Sequence, residues 1–145
     1  MLLQWSQDLA IGHPIIDYDH QMLVNIANEL HHAVKFDQGD DEVERALGRW
    51  VQYLKTHFRR EEALFMGTDY PHKDKHLQNH RDIESLVGDF HTGFQKNPGA
   101  VDIEKLLDFL KTWLIKHIGK MDKSYAPYVK AMEKQHGQYN RTGFA

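Results

Sequence analysis

The chain has 145 residues, of which 41% are apolar and 27% charged, with a formal net charge of -3 and no cysteine. These values describe one globular domain and exclude a disordered chain, a basic nucleic-acid surface, disulfides, cysteine-bound zinc and iron–sulfur clusters. The anomaly is eleven histidines against ten glycines, although glycine ranks among the commonest residues of an average domain and histidine does not.

Residues from about 1 to 17 read as an extended N-terminal arm. Its opening, Met1-Leu2-Leu3-Gln4-Trp5-Ser6-Gln7, lacks the positive flank and sustained apolar stretch of a secretory signal, so a cytoplasmic location is expected. No uncharged run approaches the roughly 18 residues of a membrane span, so no membrane insertion is expected. A first helix is predicted over about 18–37, with His20, Leu23, Val24, Ala27, Leu30, His31 and Val34 on one face.

A second helix, about 41–65, sets Val43, Leu47, Trp50, Leu54, His57, Glu61 and Leu64 at alternating steps of four and three, with Asp40 or Asp41 to cap it. The third, about 72–95, follows the turn-like Gly67-Thr68-Asp69-Tyr70-Pro71 and repeats the pattern through His76, His80, Ile83, Val87, Phe90 and Phe94. Asn97-Pro98-Gly99 stops it. The fourth, about 102–119, carries Ile103, Leu106, Leu110, Trp113 and His117 behind Asp102 as cap. A short helix and a polar tail follow residue 122, the tail expected to fray from about Gln135. All four prolines, Pro14, Pro71, Pro98 and Pro127, are read as joints between helices. Short connections favour antiparallel neighbours, so the predicted fold is all-α, a single domain over 1–145 built as an up-down-up-down four-helix bundle.

Several seam positions hold the wrong chemistry for a core. His57, Glu61, His76, His80 and His117 stand where the same helices otherwise carry Leu, Val, Ile, Phe or Trp. One such histidine is ordinarily a core residue bonded to a carbonyl. Five need a shared partner, because each buried polar group left unpaired costs on the order of 1–3 kcal/mol. In an up-down bundle the start of helix one, the end of two, the start of three and the end of four meet at one end, which is where His20 and these five residues lie.

Spacing sharpens the set. His57/Glu61 and His76/His80 are i,i+4 pairs, each able to point at one centre. His117 and Asp122 are i,i+5, so Asp122 joins them only if the helix loosens or ends between the two, as Gly119 would permit. Five imidazoles, two carboxylates that each touch both ions and a shared hydroxide leave a pair of octahedral ions one open position. Such ligands suit iron or manganese better than zinc.

The segments Ile16-Asp17-Tyr18-Asp19-His20, His57-Phe58-Arg59-Arg60-Glu61-Glu62, His76-x-x-x-His80 and Trp113-Leu114-Ile115-Lys116-His117-x-x-x-x-Asp122 resemble the hemerythrin family, bacterial members in particular. The resemblance runs from Trp5 to about Tyr128. It implies an oxo- or hydroxo-bridged pair of iron ions, one held by His76, His80 and His117 and the other by His20 and His57, with Glu61 and Asp122 as bridges. It also implies reversible dioxygen binding without turnover, for carriage, storage or local delivery, with an oxygen-consuming enzyme as a possible partner. An apolar pocket that admits O2 and excludes water is then expected from Leu23, Phe58, Trp113, Leu114 and Ile118, each of which also serves as core.

Other readings compete. A diiron oxidase, peroxidase or nitric-oxide-reducing enzyme would want a proton donor by the open position and a more carboxylate-rich set. An O2 sensor would want a signalling domain, and none is visible in the chain. Glu29-x-x-His32 and Glu133-x-x-His136 mimic a ferritin-like pattern but fall in the wrong order, one of them in the polar tail. His76-x-x-x-His80 lacks the glutamate that a zinc protease places after its first histidine. His31 stands about 16 Å along the helix from His20, too far to share the site, and reads as a core or flanking residue. Surface roles are expected for His13, His32, His72, His91 and His136. The helices show no second apolar stripe, which favours a monomer.

Overall fold

The apolar seams become the facing surfaces of four antiparallel helices in a computed structural model that describes residues 1–143, with side-chain surroundings given through residue 134 except at position 119. The bundle is formed by α1 (Pro14–Lys35), α2 (Asp40–Phe65), α3 (Lys73–Lys96) and α4 (Ile103–Lys116). A π-helical turn, His117–Asp122, joins α4 to α5 (Lys123–Gly143). There is no strand among the described residues, and no helix is long and apolar enough to cross a membrane.

Helix boundaries follow local chemistry. The first helix starts at Pro14, before the predicted position, because a proline at the first helical turn forfeits no helical hydrogen bond and His13 Nδ1 accepts from the Ile16 amide. Asp17 then accepts from the Ile11 and Gly12 amides at 2.7 and 3.2 Å, tying the arm to the new helix. The expected Asp40 or Asp41 cap on α2 is replaced by Gly39, whose φ of 100° suits glycine. Asp40, Asp41 and Glu42 instead occupy the first turn, where carboxylates complement the helix dipole. Asp102 caps α4 as its sequence position suggests, accepting from Lys105 N at 3.1 Å.

Two expectations fail beyond residue 122. Instead of a short helix and a polar tail, the backbone is helical through Gly143, and Pro127 lies inside this helix rather than at a joint. Pro127 sits close to the start of α5, where its missing N–H costs a single helical bond. Tyr125, Ala126 and Val129 fasten the helix by packing against Ile11, Ile16, Phe65 and Tyr70. The side chains from Gln135 onward lie outside the described residues, so the reading of His136 does too.

The main core fills the bundle with Leu30, Leu47, Trp50, Leu54, Leu106 and Leu110, none of them measurably exposed. Burying such side chains is worth about 1.5–3 kcal/mol each. Trp50 keeps its one polar atom satisfied by donating to the Leu23 carbonyl at 3.1 Å. The arm is pinned by Asn28, which accepts from the Leu2 and Leu3 amides and donates to the Leu3 carbonyl. Between this core and the smaller cluster under α5 lies a layer of buried histidines and carboxylates.

Candidate metal centre

The π turn explains how Asp122 reaches its neighbours. A regular α-helix would turn residues 117 and 122 to different sides, whereas a wider π turn brings i and i+5 closer to one face. The helix therefore loosens without ending, and His117 Nε2 approaches Asp122 Oδ1 to 2.9 Å. His57 and Glu61 come from the last turns of α2, His76 and His80 from the first turns of α3, and His20 from the second turn of α1.

All seven predicted ligands meet, in two overlapping sets. Glu61, His76, His80, His117 and Asp122 have ligand atoms within 4.8 Å of one another, and so do His20, His57, Glu61 and Asp122. Glu61 and Asp122 belong to both. Every one of the seven is buried, with exposure of 2% or less.

Three of the five histidines are held by their outer nitrogen, while Nδ1 of His20 and of His117 has no partner among the described residues and His20 Nε2 meets Asp122 Oδ2 at 2.9 Å. His57 Nδ1–H donates to Asp19 Oδ2 at 3.0 Å, and Asp19 in turn accepts from Arg60 through both its oxygens and from the Tyr53 hydroxyl. Burial by itself would raise the Asp19 carboxyl, but His57 and Arg60 outweigh it and hold that group well below the usual carboxylate range. His80 Nδ1–H donates to Glu62 Oε2 at 2.7 Å, and Arg81 pairs with the same carboxylate. His76 Nδ1–H donates to the Tyr70 hydroxyl, which donates to Ser124 Oγ, which donates to the Met121 carbonyl. A histidine whose Nδ1 carries the proton presents the Nε2 lone pair, the arrangement metal-binding imidazoles favour.

Those inner atoms have no hydrogen-bond partner. Nε2 of His57, His76, His80 and His117, Glu61 Oε1 and Asp122 Oδ1 are all buried and unpaired. His57 Nε2 lies 2.8 Å from Glu61 Oε1 and His76 Nε2 3.3 Å from Asp122 Oδ1, yet neither contact has hydrogen-bond geometry. One buried orphan costs about 1–3 kcal/mol. Six converging orphans of imidazole and carboxylate type fit a cation of the iron class, and the donor set passes that test on chemistry as well as on placement.

Burial and neighbouring charges pull these groups in opposite directions. Burial disfavours the charged form of His57, but Glu61 and the bond to Asp19 outweigh it and lift its pKa to about 10. His117 is likewise carried to about 9 against its burial, chiefly by Asp122. His80, with burial dominant, falls to about 2. Burial and Asp122 push Glu61 up, yet His57 and His117 bring it down to about 2, and Asp122 is lowered well below its ordinary value by His117 despite its own burial. The same nitrogens and oxygens that compete for protons would bind a cation, so cation binding and protonation oppose each other here.

All five residues of the expected apolar lining are buried, and two of them lie against ligand rings. Phe58 stacks on His80 at 3.7 Å and 4°, and Trp113 on His117 at 4.6 Å and 18°. Leu23, Leu114 and Ile118 belong to the main core. Sequence reasoning missed Asp19, Glu62, Tyr70 and Tyr125 as orienting groups. Tyr125 donates to Glu61 Oε2 at 2.6 Å from the start of α5.

A four-helix bundle that buries five histidines around two shared carboxylates defines a helical metal-binding protein, with a donor set of the non-haem iron kind. The chain belongs to the hemerythrin family: residues 12–129 match the Hemerythrin HHE cation binding domain. It is 32% identical to a bacteriohemerythrin of Stenotrophomonas maltophilia over 98% of this chain and 91% of that one. A bacteriohemerythrin of Pseudomonas aeruginosa is 29% identical over 88% of this chain and 82% of its own length. One of Methylococcus capsulatus is 25% identical over 90% and 98%. Membership and donor set together make the cluster a non-haem iron site.

Proposed function

We propose that the protein binds dioxygen reversibly at a centre of two iron ions, for carriage, storage or local delivery to an oxygen-consuming enzyme, and does not turn over a substrate. The observation that carries this reading is the pair of overlapping donor sets sharing Glu61 and Asp122. In it, His76, His80 and His117 would hold one ion and His20 and His57 the other, with Glu61 and Asp122 available to both. With fewer histidines, the His20/His57 side would be the one to offer O2 a place. Iron, when bound, supplies the electrons that O2 capture borrows and release returns.

The protein's own groups do the rest. Asp19, Glu62 and Tyr70 orient three imidazoles from outside, so the ligands are held before a cation arrives. Phe58, Trp113, Leu23, Leu114 and Ile118 keep water from the ions, which preserves the reduced state. The Tyr125 hydroxyl is committed to Glu61, and burial, followed by the neighbouring carboxylates, raises its pKa far above the ordinary phenol value. It keeps its proton and braces the bridge.

The test is to load the protein with ferrous iron, admit O2 and then apply vacuum. A charge-transfer spectrum that appears with O2 and vanishes under vacuum, with the ferrous form restored, is expected. The rival reading, a diiron redox enzyme, draws on the two phenols of Tyr70 and Tyr125 beside the cluster. It requires instead that O2 be consumed and the ferrous form not return.

A further inference from the structure

Every ligand is buried, so a small molecule moving between solvent and the cluster crosses least protein where a surface recess already reaches a ligand ring. Two cavities do so. One, of about 380 Å3 between α3 and α4, has His117 in its wall. The other, of about 250 Å3 where α3 begins beside the π turn, has His76. They share two residues, Lys120 and Met121 of the π turn. The largest cavity, about 700 Å3 on the α1–α2 face, is lined by Met1 but by none of the seven ligands.

Met121 therefore stands on both approaches. It directly precedes Asp122, the carboxylate common to the two donor sets as Glu61 is, and it is half-buried, neither sealed in the core nor fully exposed. Its unbranched side chain and polarizable sulfur adapt to the walls of both cavities. Lys120 is exposed and, as an ammonium, inert to peroxide. With no cysteine in the chain, methionine sulfur is the side-chain atom that takes up oxygen from a peroxide most readily.

The dioxygen reading, on which this inference rests, carries its own source of peroxide. When captured O2 fails to return as O2, two ferrous ions give it two electrons, it takes up two protons, and hydrogen peroxide departs from ferric iron. We propose that Met121 is a modification site, the residue which this departing peroxide oxidises. The sulfur lone pair attacks one peroxide oxygen, the O–O bond breaks, and methionine sulfoxide and water result. Sulfur loses the two electrons that the peroxide gains. A sulfoxide is reducible back to the thioether, so Met121 is a renewable sink set in front of the ligand imidazoles.

Mass spectrometry after oxidation from within tests it. The protein is loaded with ferrous iron without oxygen and then held in air until the ferric spectrum is complete, with catalase present to destroy peroxide that reaches the solvent. Met121 is expected to carry more sulfoxide than Met1 or Met66, although these two are the exposed methionines, at 81% and 46%. Metal-free protein treated with added hydrogen peroxide should show the opposite order, following exposure. In a second measurement, without catalase, Met121→Leu should release more peroxide per ferrous ion oxidised than the unaltered protein. The proposal is overturned if iron turns ferric with Met121 no more oxidised than Met1 and Met66, or if the variant releases no extra peroxide. Either result leaves the dioxygen reading standing, whereas iron that never reacts with O2 overturns that reading and this inference with it.

Discussion

The two ends of the bundle are built on opposite principles. Around Leu30, Leu47 and Leu106 the interior is apolar throughout, while Asp19, His20, His57, Glu61, Thr68, His76, His80, His117 and Asp122, the buried polar residues among those described, all gather at the other end. The first end lowers the free energy of the fold by removing hydrocarbon from water. The second raises it by stripping water from charges and leaving lone pairs unmatched. The lesson is a division of labour: the apolar end supplies the stability that keeps unpaired ligands waiting at the polar end.

The sharpest way to break this comparison is to damage each end with the same truncation. Leu47 and Leu114 are both fully buried, so Leu47→Ala and Leu114→Ala should each lower unfolding free energy by about 2–5 kcal/mol, read from urea denaturation of the metal-free proteins. Only Leu114 lies one turn from a ligand, His117, where a cavity would let water approach the ions. Loss of the oxygenated spectrum should therefore be faster in Leu114→Ala and unaltered in Leu47→Ala. Equal decay in the two variants would remove Leu114 from the water barrier and leave it as packing alone.

A smaller effect is expected from the groups that orient the ligands. Asp19→Asn keeps an acceptor for His57 but removes the charge that Arg60 pairs with at 2.6 and 2.7 Å. Metal affinity should fall about 10–100-fold, the usual consequence of losing a ligand's outer partner, as read by competition with a chelator. The Leu47 end should not register the change, so the urea midpoint of the metal-free protein should move less than in Leu47→Ala. A larger midpoint shift than that would mean the polar end also carries the stability of the fold.

How much of this was legible in the sequence differs between ligands and their supports. His57/Glu61 and His76/His80 announce themselves because i,i+4 pairs interrupt apolar seams, and bundle topology brings their helix ends together. Spacing admitted Asp122 only if the helix loosened between it and His117, and the resemblance had to place it, since the π turn is a departure from the regular period on which spacing arguments rest. Asp19 directly precedes His20, about 100° around the helix, and so lies off the seam. Its role appears only when α2 brings His57 and Arg60 against it. Glu62 and Tyr125 were hidden for the same reason, each lying beside a seam and not on it. The helical reach of α5 was missed because a polar composition beyond residue 130 outweighed the three buried positions Tyr125, Ala126 and Val129.

The smallest expected effect probes acid sensitivity at the apolar end, which has no fully buried titratable group among the described residues. Its nearest substitute is Glu44 on α2, which accepts from His91 Nε2–H at 2.8 Å and Gln95 Nε2–H at 3.0 Å on α3. Those hydrogen bonds, His91 first, hold the Glu44 carboxyl below its ordinary value of 4.5. A depressed carboxyl contributes stability that is present above its ordinary pKa and is lost as pH falls through the folded-state value. Since the pair is largely solvated, Glu44→Gln should cost only about 0.5 kcal/mol or less at neutral pH, and the gap from the unaltered protein should close in acid. Urea midpoints measured at neutral pH and again well below the ordinary glutamate value check both signs. A gap that widened on acidification would mean that Glu44 carries a load the apolar end was argued not to place on charge.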